Sequence, residues 1–219
     1  MTVVTDYAIV VVCGWFAARL IFSERHRQHL SRQAWAIGFL LIGIGLIVGG
    51  TGHGFALYLS DSAMIMIWKL AYYAAGLSMA SIVAGSVIGS VSAGRGQRVL
   101  HSLNALVLVI FAAWVTISDD NFLWVIIDSV ISLAAIALIQ AWAFVTQKSR
   151  SAMWLIAGVL VYILSAVIQQ SDLDLHQHFN HNDLYHVVLM IGLYLLYRGV
   201  ELMQDQKRTS TIEISGQPI

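Results

Sequence analysis

Four ionisable residues lie inside long apolar stretches: His53, Lys69, Asp128 and His186. An ionisable group inside a membrane is costly, so each marks a functional site by default. The segment from Leu175 to His186 adds a local excess of imidazole, with His176, His178, His181 and His186. Neutral imidazole is the commonest metal ligand. His53, His181 and His186 are therefore candidate ligands for a zinc ion whose fourth position holds water, as in catalytic zinc sites. Zinc would bring the pKa of that water to about 7 and polarise a carbonyl. Asp61 is placed to orient or deprotonate the water. Lys69 either pairs with Asp128 or faces a developing oxyanion. Thr51, Asn182 and Tyr185 are expected to support the ligands. On one regular helix His181 and His186 point about 140° apart, at about 100° per residue. They converge only if His181 precedes the helix, which makes Asn182 the N-cap of interest, with Asn180 the other candidate. Asp183 suits the positive first turn. His176 and His178 read as ordinary loop residues.

The elements that carry these residues follow from composition. The 219 residues are 58% hydrophobic and 11% charged, with a formal net charge of zero. Soluble domains average about 25% charged residues, so a soluble globular protein, a disordered chain and a nucleic-acid binder are excluded. The one cysteine, Cys13, permits no intrachain disulfide and no cysteine-rich zinc site. A hydrocarbon core about 30 Å thick needs roughly 20 apolar residues of helix. Seven stretches meet that length: Asp6–Phe22, Gln33–Leu59, Ala63–Ser90, Val99–Ile117, Asn121–Val145, Ser151–Gln169 and Asn182–Leu202. The fold class expected is an all-α, seven-helix transmembrane domain over residues 1–204, with a disordered cytoplasmic tail over 205–219. The first stretch lacks a basic start and a small-residue cleavage pattern, so it reads as a retained helix rather than a signal peptide.

Charge in the links sets the expected orientation. Arg19, Arg25, Arg27, Arg32, Arg95, Arg98, Lys148, Arg150, Arg198, Lys207 and Arg208 all fall on one side, eleven of the twelve basic residues. The opposite links hold Asp61, Asp119, Asp120, Asp172 and Asp174, with Asp183 at the start of the last helix. The N-terminus is thus expected outside and the C-terminus in the cytoplasm of a bacterial inner membrane. In that topology His53, Lys69, Asp128 and His186 sit at a similar outer depth on four helices. One polar cavity open to the extracytoplasmic face is the expectation. Glycines and serines crowd the second and third stretches, as close helix approach in lipid requires.

A seven-helix chain with a histidine late in helix 2 and histidines opening helix 7 resembles the CREST superfamily. That group holds alkaline ceramidases, adiponectin and progestin receptors with haemolysin III relatives, and lipid-remodelling proteins. The resemblance rests on the helix layout, on Gly49–Phe55 (GGTGHGF) and on Phe179–His186 (FNHNDLYH). It implies a zinc-dependent hydrolase of a lipid amide or ester, with membrane lipid as both environment and substrate. It carries over to His53 and His186, then to Asp61 and His181. The chain departs from the pattern at Gly49, where the family has serine, and at Asn182, where it has histidine. Two other readings use the same cavity: a non-catalytic sensor that binds a lipid or small ligand, and a proton or ion transporter. A rhodopsin is disfavoured, because the last helix has no lysine.

Overall fold

The computed structural model describes residues 2–23, 28–118, 122–171, 176 and 179–206. Arg25, Arg27, Asp119, Asp120, Asp172, Asp174, His178 and residues 207–219, which include Lys207 and Arg208, lie outside them, whereas Asp205 and Gln206 of the expected tail are described. The described residues form seven long α-helices: α1 (Thr2–Phe22), α2 (Leu30–Phe55), α3 (Asp61–Ser90), α4 (Arg95–Ile117), α5 (Leu123–Gln147), α6 (Arg150–Gln169) and α7 (His181–Leu202). All seven are long and apolar enough to cross a membrane. No proline interrupts them, since the only one is Pro218.

The ends depart from the sequence expectation where capping and hydropathy disagree. α2 stops at Phe55 and gives way to a 3₁₀ turn over Ala56–Tyr58, although the apolar pattern runs to Leu59. α4 starts at Arg95, a turn before the apolar run, because polar residues extend a helix without extending its hydropathy. Ser60 Oγ accepts from Ala63 N–H at the start of α3, and Ser149 Oγ accepts from Ala152 N–H at the start of α6. Each satisfies one of the donors that a helix start leaves open.

Packing runs α1–α2–α3 on one side and α6–α7 on the other, with α5 against α3 and α6. α1 and α7 run parallel. Phe16 stacks on Tyr197 at 4.5 Å between centroids, and the same offset brings Thr5 to His186 at the other end. Phe16, Trp35, Phe39, Leu155 and Leu193 lie in the centre of the bundle. Gly85 lets α2 and α3 close up: a Cβ there would meet Ser31 O at 2.7 Å and the Trp35 ring at 2.5 Å.

The chain after α7 closes one end of the bundle. α2 has no cap from its own N-cap residue His29. Asp205 supplies it instead, accepting from Leu30 N–H at 2.7 Å and Ser31 N–H at 3.0 Å. Arg32 Nε donates to Met203 O at 2.6 Å, and Gln206 N–H donates to Ile88 O at 3.1 Å. Arg19, Arg32, Arg95, Arg98, Lys148, Arg150 and Arg198 belong to this basic end. The starts of α1, α3 and α7 form the opposite, acidic end.

Candidate functional site

The site begins with the cap of α7. Asn180 is the N-cap, and its Oδ1 accepts from Asn182 N–H at 3.0 Å and Asp183 N–H at 3.3 Å. Asp183 Oδ2 accepts in return from Asn180 N–H, completing a capping box. Of the two N-cap candidates, Asn180 takes the position and Asn182 lies inside the helix. His181 becomes the first residue of α7, so His181 and His186 belong to one regular helix and diverge by about 140°. His181 Nε2 lies 3.3 Å from Asn182 Nδ2 instead.

One turn further on, His186 is buried against α1. Its Nε2 is 3.1 Å from Asp6 Oδ1, and its Nδ1 is 2.7 Å from Thr5 Oγ1. Thr5 Oγ1 also donates to Asp183 Oδ1 at 3.3 Å. Asp6, Asp183 and His186 are each at most 5% exposed. Thr5 is half-buried and Tyr185 packs its ring beside the imidazole at 4.8 Å. Gly50 of α2 lies behind the carboxylate, where a Cβ would come within 3.3 Å of Asp6 Oδ2. That oxygen is fully buried and has no hydrogen-bond partner among the described residues.

This chain of groups can move a proton. A hydroxyl both accepts and donates, so Thr5 can link the imidazole to Asp183. With Nε2 and Oδ1 3.1 Å apart, a proton on either atom leaves the same total charge on the pair. An isolated buried ion is expensive, and a partner of opposite charge offsets part of that cost.

The other expected site residues are placed elsewhere. His53 is exposed and stands edge-on to Trp68, 4.9 Å between centroids. It lies within electrostatic range of His186. Lys69 Nζ donates to Thr116 O at 3.2 Å, at the end of α4, and makes no ion pair with Asp128. Asp128 is buried on α5 and has no partner among the described residues. Asp61 is exposed in the first turn of α3. Thr51 Oγ1 donates to Ile47 O at 2.7 Å, one turn back along α2, and lies 3.4 Å from Tyr7 Oη. His53, Lys69, Asp128 and His186 thus each meet different neighbours. Both His186 nitrogens are engaged, and no group of three or more His, Cys, Asp or Glu among the described residues could hold a metal ion.

Thr5 and Asp6 were not among the residues the sequence singled out. The signal was present. Asp6 begins the first apolar stretch, and read one turn inside the span it is a costly intramembrane acid like Asp128.

Fold and site together define a seven-helix bundle of membrane-spanning composition whose first and last helices are joined by a buried His–Asp pair. The chain belongs to a family of unknown function, DUF6962, which it matches over residues 1–205. No curated protein and no solved structure matches it, and nothing in these comparisons links it to the CREST superfamily.

Proposed function

We propose that this is an integral membrane protein that translocates protons, with its basic end in the cytoplasm and the His186–Asp6 pair as the exchange site near the outer end. The observation that carries the reading is the engagement of both His186 nitrogens by neighbouring groups of α1, while Asp6 Oδ2 stays buried and unpartnered. Acid and histidine chains inside a membrane are the usual components of proton relays. Eleven basic residues on one side support the orientation by the positive-inside rule. A zinc hydrolase would require His186 to release Thr5 or Asp6.

The test is proton flux in liposomes loaded with a pH-sensitive dye and driven by a potassium diffusion potential. The full-length protein is expected to acidify or alkalinise the lumen faster than protein-free vesicles do. Asp6→Asn and His186→Gln, reconstituted at equal density, are expected to abolish the difference. A wild-type rate equal to that of empty vesicles would end the proposal.

A further inference from the structure

Asp128 has no part in the exchange site, yet it is a carboxyl group 6% exposed with no partner among the described residues. On the buried face of α5 it is followed at steps of four by Ser132, Ile136 and Gln140. Steps of four drift only about 40° per turn, so these residues form one stripe, about 18 Å long from Asp128 to Gln140. At its far end Gln140, 1% exposed, donates through Nε2 to Ser90 Oγ on α3 at 3.1 Å. One turn before Ser90 on α3 lies Ser86, 0% exposed, whose Oγ has no hydrogen-bond partner among the described residues. Gln147 Nε2 then donates to Ser90 O at 2.7 Å, and Gln206 Nε2 donates to Gln147 Oε1 at 3.2 Å.

These groups open into a cavity of about 320 Å³ at the basic end, lined in part by Ser90, Gln147, Ser151 and Gln206. Its lining offers hydroxyls, amides and carbonyls and no charged side chain. A water occupies about 30 Å³ in the liquid, so the cavity has room for several. Buried polar atoms without a protein partner are ordinarily satisfied by such waters. The stripe is polar at both ends and apolar only at Ile136, which is 1% exposed.

We propose that the α3–α5 seam is a water-lined path that carries protons between the basic-end cavity and Asp128, with Ile136 as its apolar break. The carboxyl group takes a proton from a water on the Ser132 side and returns it the same way, so no other reactant is needed. The remaining titratable groups near this level on the packed helices are Asp61, Lys69, Tyr72 and Tyr73 on α3 and Tyr162 on α6. Arg95, Arg98 and His101 on α4 and Arg150 on α6 lie toward the basic end. None of them is ion-paired with Asp128.

Protons reach Asp128 from the basic-end cavity by this path whether or not the His186–Asp6 site transports them, so its test is separate from the flux assay. Infrared spectroscopy of the full-length protein transferred to heavy water follows the Asp128 carboxyl band, assigned by its loss in Asp128→Asn. The band is expected to exchange with deuterium faster in Ile136→Ser and slower in Gln140→Leu than in the wild type. Equal rates in the three proteins would overturn the path.

Discussion

His186 on α7 and Asp6 on α1, close to opposite ends of the chain, stand 3.1 Å apart with neither side chain more than 6% exposed. Removing one partner of such a pair leaves the other buried alone, at a cost of about 3–5 kcal/mol. His186→Ala and Asp6→Ala are each expected to lower the melting temperature of the detergent-solubilised protein strongly. The double variant should cost less than the sum, with a coupling of about 0.5–3 kcal/mol. Strict additivity in denaturation experiments would show that the pair does not act as one unit.

Glycine positions separate tight from open helix contacts. At Gly85 a Cβ would press on the Ser31 carbonyl and the Trp35 ring, both closer than 3 Å. Gly85→Ala should therefore destabilise by about 1–3 kcal/mol, the range for overpacking. At Gly14 nothing lies within 4 Å, so Gly14→Ala should be neutral or stabilise by up to about 1 kcal/mol through helix propensity. Thermal melting of the two variants in the same detergent checks the contrast, and equal shifts would contradict the packing.

Asp205 caps a helix that begins far away in sequence. Loss of a capping side chain costs about 0.5–2 kcal/mol, so Asp205→Ala should lower stability by that amount. Truncation after Gln204 should reproduce the Asp205→Ala effect. Hydrogen exchange at Leu30 and Ser31 gives a local readout, since their N–H groups lose their acceptor.

Metal removal distinguishes the buried pair from a ligand set. Elemental analysis of the purified protein is expected to find no stoichiometric zinc, and a chelator should leave the melting temperature in place. One zinc per chain, lost in both His53→Ala and His186→Ala, would mean that His186 exchanges Thr5 and Asp6 for the metal and would restore the hydrolase reading.

Length and hydropathy by themselves determined the seven helices, because each apolar run must bury its backbone polar groups internally if it lies in lipid. The sequence also located Asn180 and Asp183 at a capped helix start one turn before His186, since capping is local. It marked His53, Lys69, Asp128 and His186 as costly, but could not say which would meet. Depth along a helix is legible from the sequence, whereas rotation and the neighbouring helix are not. Only tertiary packing put Thr5 and Asp6 against His186, turned His53 onto Trp68, sent Lys69 to the Thr116 carbonyl and brought Asp205 back to cap α2. These contacts join residues distant in sequence, and side-chain periodicity fixes a face without naming its partner.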